Sequence, residues 1–127
     1  MVNSNARKLA LSGWLKEHGK RAYDSPLKLQ KYLLLYEALS KVDGEQADFS
    51  NLRGYKRGPV FSRVFGDYTY ERKAFDTEAD KAYRSNSIQI DEERAALSSF
   101  IVGVLSEKEL SDLTHKMNLW SAKKTAL

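Results

Sequence analysis

Cysteine is absent from this sequence, and with it go disulfides, thiolate nucleophiles and cysteine-based zinc sites. That absence fits a reducing, cytoplasmic setting. Histidine is almost as scarce: His18 and His115 are the only two. A histidine-based triad would need distant partners, so the sequence points to no catalytic residue, no metal site and no cofactor. No glycine-rich phosphate loop occurs either. Asp43, Glu45 and Asp48 are spaced somewhat like calcium-loop oxygens, but the glycine falls at the second position and no glutamate closes the loop at the twelfth. They read as an acidic surface loop. No apolar run approaches bilayer length, and the Met-Val-Asn-Ser-Asn start lacks the hydrophobic region of a signal peptide, so neither a membrane anchor nor export is expected. At 127 residues the chain fits a single domain, 1–127, with one core.

What is present is mostly helical pattern. Ala6, Leu9, Ala10, Gly13 and Trp14 recur at helical spacing, and His18-Gly19 closes that run. Ser25 and Pro26 supply an N-cap and a first-turn proline for a helix whose face carries Leu29, Tyr32, Leu33, Tyr36 and Leu39. Leu27, Leu34, Leu35 and Ala38 widen that face, as expected of a central helix packed on several sides. Asp43-Gly44 ends it. Phe61, Val64, Phe65 and Tyr68 form a further stripe, and a short helix is expected around Thr77 to Tyr83. Asp91 caps a helix with Leu97, Phe100, Ile101, Val104 and Leu105 on its inward side. Ser106 and Glu109 make a capping box for a last helix lined by Leu110, Leu113 and Met117. The expected fold is mainly α, one compact domain of about five to six helices. One short two-stranded β element is expected between Phe49–Arg53 and the Ser-Ile-Gln-Ile segment.

The formal net charge is +4, and the cations cluster: Arg7, Lys8, Lys16, Lys20, Arg21, Lys28 and Lys31, then Arg53, Lys56, Arg57 and Arg63. Such clustering suits an acidic partner surface or nucleic acid; a solvated basic face is the commoner outcome. Tyr32, Tyr36, Tyr55, Tyr68 and Tyr70 are candidates for base stacking, or for the edge of the core with the hydroxyl in water.

The most constrained stretch is G-Y-K-R-G-P-V, Gly54 to Val60. Gly58 lets the backbone enter at an unusual angle, and Pro59 suits the first turn of a helix, so a helix is expected to start there. The turn before it would present Tyr55, Lys56 and Arg57 at one surface spot. Their aromatic and cationic character is enriched where proteins bind one another.

Three patterns, S-P-L-K-L-Q-K-Y-L-L-L-Y from Ser25, G-Y-K-R-G-P-V-F from Gly54 and L-T-H-K-M-N-L-W from Leu113, together resemble the Panacea domain, also called the SocA-like or phage-associated antitoxin domain. Lys28, Leu29, Gln30 and Lys31 match its leucine-rich helix; Tyr55, Lys56, Gly58, Pro59 and Val60 match its second motif; Thr114, His115 and Trp120 match its third. Arg57 stands where the family often has tyrosine, and Leu119 where proline commonly precedes the tryptophan. The resemblance implies an antitoxin that binds a cognate protein toxin encoded nearby, with neither cofactor nor catalysis. Tyr55, Lys56, Arg57, Gly58, Pro59, His115 and Trp120 become candidate partner-binding positions. On their own terms His115 and Trp120 read first as residues that pin the last helix to the bundle. Two further roles stay open: a nucleic-acid-binding regulator of its own operon, and an adaptor delivering the toxin to a protease.

Overall fold

The computed structural model describes residues 1–56 and 58–116. Among them are seven helices and one two-stranded antiparallel sheet. In chain order these are α1 (Ala6–His18), α2 (Lys20–Tyr23), α3 (Pro26–Val42), β1 (Leu52–Tyr55), β2 (Gly58–Phe61), α4 (Ser62–Tyr70), α5 (Arg72–Arg84), α6 (Glu92–Val104) and α7 (Glu107–Lys116).

The helix starts are set by side chains that replace missing helical acceptors. The Asn5 side chain accepts from the Lys8 N–H at 2.9 Å, Ser25 Oγ from Lys28 at 3.2 Å, and Asp91 Oδ1 from Arg94 at 3.0 Å. Ser106 and Glu109 cap each other, with Ser106 N–H donating to Glu109 Oε1 at 2.8 Å and Glu109 N–H to Ser106 Oγ at 3.1 Å.

α3 is the central helix. Leu29 and the run Tyr32 to Tyr36 are buried, and the helix packs against α1, α2, α4, α6, α7 and β2. Buried tyrosines keep their hydroxyls satisfied: Tyr32 donates to the Leu11 carbonyl at 2.9 Å and Tyr68 to that of Tyr23 at 2.7 Å. α1 lies along α5, and Gly13 makes their approach close. A Cβ built on Gly13 would stand 2.2 Å from the Ala79 carbonyl oxygen.

Several expectations need correction. The strand partner of β1 is β2, with Leu52 opposite Phe61 and Tyr55 opposite Gly58, whereas Ser87 to Ile90 forms no strand. Pro59 therefore sits within β2, and the helix begins three residues later at Ser62. The pair Tyr55–Gly58 closes the hairpin, so the next pair, Gly54–Pro59, exchanges no ladder bonds and the absent proline N–H costs nothing. The helix expected at Thr77 to Tyr83 is the longer α5, and the single-turn α2 adds one that the spacing did not show.

The largest departure is α6. Its inward residues are Arg94, Ala95, Ser98 and Val102, while Leu97, Phe100 and Val104 are 48, 65 and 61 % exposed. Small side chains at Ala95 and Ser98 let α6 sit close on α3, and that rotation turns its large apolar residues outward.

Candidate functional site

The β1–β2 hairpin packs its second strand on α3, α4 and α7 and carries the second motif. Lys56 is exposed in the turn, and Tyr55 is 44 % exposed. The Tyr55 ring meets Phe65 of α4 edge to face, 5.7 Å between centroids and 83° between planes, and Phe65 is itself 39 % exposed. Beside this pair runs a groove of about 410 Å³. Pro26 and Leu27 at the start of α3 form one wall, Val60 and Phe65 the other, and Lys56 and Glu107 stand at the rim. The arrangement offers apolar and aromatic surface with a cation beside it. Among its described lining residues none forms a nucleophile–base pair.

The hairpin is anchored from beneath. Phe61 N–H donates to Gln30 Oε1 at 2.7 Å, and Gln30 Nε2 donates to the Phe61 carbonyl at 3.2 Å, so one buried side chain of α3 completes both polar groups of a β2 residue. Lys8 lies over the Phe61 ring, 4.4 Å from its centroid. Its ammonium donates to Glu37 Oε2 at 2.7 Å and to the Asp48 carbonyl at 2.8 Å. Arg7 engages the same carboxylate through Nε and Nη2, at 2.8 and 2.7 Å, and the Asp48 N–H donates to it at 3.0 Å. Burial pulls the Lys8 pKa down although the Glu37 charge opposes it. Lys31 is also fully buried, and burial pushes its pKa down to about 8.

Gly58 has φ +109°, well outside the range of an ordinary L-residue, and it closes the hairpin. Gly58→Ala should cost more than about 1 kcal/mol, and Pro59→Ala well under that, because the proline sits where no N–H is used. Urea unfolding of the two variants measures both; equal and negligible losses would contradict this hairpin geometry.

Of the sequence-predicted positions, the structure brings Tyr55, Lys56, Gly58 and Pro59 together in the hairpin. Arg57 and Trp120 lie outside the described residues, as does the side chain of His115, whose backbone belongs to α7. α7 begins at the groove rim and packs on β2. Thr114, of the same motif, is buried, and its hydroxyl donates to the Leu110 carbonyl at 3.0 Å. Pattern reading assigned Leu27 and Phe65 to the core, yet they line the groove. Phe61, Val64 and Tyr68 take the buried line of that segment, which leaves Phe65 on the flank.

The other candidate chemistries thin out. Tyr32, Tyr36 and Tyr68 are buried and offer no ring face to a base. Arg7 and Lys8 pair with Glu37, Lys16 with Asp80, and Lys20 with Asp24, so much of the N-terminal basic cluster is neutralised within the fold. His18 Nε2 lies 3.0 Å from the Tyr83 hydroxyl and its ring 4.4 Å from that of Trp14. Asp43 and Glu45 each accept from Arg94 at 2.9 Å, which explains their spacing without calcium. Among the described residues no cluster of histidine or carboxylate side chains is placed to hold a metal, and no helix is long and apolar enough to cross a membrane. Comparison with protein-family models, with curated proteins and with solved structures finds no match to this chain.

Proposed function

We propose that this protein is the antitoxin of a toxin–antitoxin pair and neutralises a cognate protein toxin by direct binding, using the hairpin tip and the groove beside it. The observation that carries the reading is the exposed Tyr55–Phe65 edge next to an apolar groove with Lys56 at its rim. Aromatic anchors beside a cation on a rigid support are the chemistry of interface hot spots. The three motifs that resemble the Panacea domain support the same reading. Two of them meet at this face, where Gln30 of the first holds Phe61 of the second.

The test is co-expression with the product of the adjacent gene. A neighbour that arrests growth alone and is silenced by this chain supports the proposal. A neighbour that is harmless alone, or stays toxic beside the folded protein, removes it. Within that assay Lys56→Glu should shift folding stability by no more than about 0.5 kcal/mol, since the side chain is exposed. Tyr55→Ala should weaken toxin binding by roughly 2 kcal/mol, about thirtyfold, and Lys56→Glu should mainly slow association. Titration calorimetry and stopped-flow mixing read these separately; parental affinity in both variants would place the interface elsewhere.

A further inference from the structure

β1 has one edge paired with β2 and one edge open. The alternation of bonds along the ladder fixes which groups face outward. Ser62 N–H donates to the Asn51 carbonyl at 2.9 Å, and both polar groups of Phe61 turn away to Gln30. Arg53 and Tyr55 therefore bond towards β2, while the backbone groups of Leu52 and Gly54 point away from it. The Leu52 N–H is taken by the Phe49 carbonyl at 3.2 Å. The Leu52 carbonyl and both polar groups of Gly54 meet no partner among the described residues, and Gly54 is exposed. Gly54 has no positive φ, so the backbone does not call for glycine there, and glycine weakens a strand. Within a strand it marks a point where another backbone comes close. The surroundings are cationic. Among the described residues Arg53, Lys56 and Arg63 are exposed and form no ion pair, whereas Arg7, Lys8, Lys16 and Lys20 are each held by a carboxylate. Arg63 lines a cavity with Ser50 and Asn51, beside the base of the hairpin. Asp48, just before the strand, is already engaged by Ser50 and Asn5.

We infer that this open edge takes an extended, acidic segment of the partner protein, which adds to β1 as a third strand by bonding Gly54 and the Leu52 carbonyl and sets carboxylates against Arg53 and Lys56. A helical segment cannot complete the edge, because its own backbone groups are spent internally. Nucleic acid would suit the cations but would leave the donor and acceptors of the strand unmatched. A second copy would bring the same cations against their counterparts, and charge on an edge strand is a device by which sheets avoid pairing with themselves. That the segment comes from the toxin rests on the function proposed above; the edge itself is tested without the toxin.

The probe is a capped peptide of about six residues that alternates valine and glutamate, added at about 1 mM to the full chain and followed by amide NMR. The Arg53 and Gly54 amides should shift, and the Gly54 amide should exchange roughly twofold more slowly, as half-saturation of the edge gives. The matching peptide of valine and lysine should do neither. Gly54→Pro removes the outward N–H at a position the ladder does not use, so it should keep the melting temperature and lose the peptide. Arg53→Glu should lose the glutamate peptide and gain the lysine one, an exchange that damage to the fold would not produce. No shift at Gly54 with the glutamate peptide, or an equal response to both peptides, overturns the inference. So does a single-stranded oligonucleotide that binds this edge where the peptide does not. With the product of the adjacent gene, Gly54→Pro should bind about tenfold more weakly. Undiminished binding by that variant overturns the inference and leaves toxin neutralisation standing. A neighbour that is harmless removes the proposed function, and the peptide still decides the edge.

Discussion

Replacing Glu37 by glutamine is expected to remove about 3–5 kcal/mol of folding stability, a large share of what a domain of this size possesses. The carboxylate is fully buried and takes hydrogen bonds from Arg7, Lys8 and the Asp48 N–H. Its charge is what makes the burial of the Lys8 ammonium tolerable. Glutamine keeps the shape but leaves Lys8 facing a neutral amide, with only the Asp48 carbonyl and a carboxylate oxygen at 3.6 Å to compensate. The double variant Lys8→Met, Glu37→Leu should recover only part of the loss, because it removes the buried ammonium but leaves Arg7 and the Asp48 N–H without their acceptor. Urea unfolding of Glu37→Gln measures the loss, and Lys8→Met, Glu37→Leu and their double variant measure the coupling. A Glu37→Gln loss under about 1 kcal/mol would show that water reaches this network.

Gly13→Ala is expected to rank next, at about 2–3 kcal/mol. The added methyl would stand 2.2 Å from the Ala79 carbonyl oxygen and 2.7 Å from Tyr83 Cβ, so α1 and α5 must move apart along their contact. The nearest obstacle is main chain, and trimming a side chain cannot relieve it. Ala79→Gly in the same background should therefore restore nothing. Restoration, or a loss below about 0.5 kcal/mol, would mean that the two helices slide freely over each other.

Where the sequence spoke locally, it was readable. Ser25, Asp91 and the Ser106–Glu109 pair act within three residues of themselves, and each caps the helix that its position announced. The apolar run of α3 is so broad that only a central position suits it. The failures share a different cause. Gly58-Pro59 fits a helix start and a hairpin strand equally well by backbone angle; what decides is Gln30, a residue of α3 whose amide completes Phe61. Lys8 and Glu37 look like solvent charges until they meet each other across α1 and α3. In α6 hydrophobicity pointed the wrong way. Packing selected the small residues Ala95 and Ser98 for the interior and left Phe100 outside. The hairpin half of the candidate site was legible because its motif is contiguous. The groove was not, because Leu27, Val60 and Phe65 come from three elements.

The pairing of α1 with α5 also sets an order of events on synthesis. Gly13 leaves the ribosome about half a chain length before Ala79, the residue whose backbone it touches. Until then the first helix has no surface to complete it on that side. α3 and the hairpin, whose Gln30–Phe61 bonds span 31 residues, can assemble meanwhile, whereas closure of α1 on α5 spans about twice that length and carries the larger loop entropy. A nascent chain halted before residue 72 would display the α5-facing side of α1 to any chaperone at the exit tunnel, and release of that chaperone would report the arrival of α5.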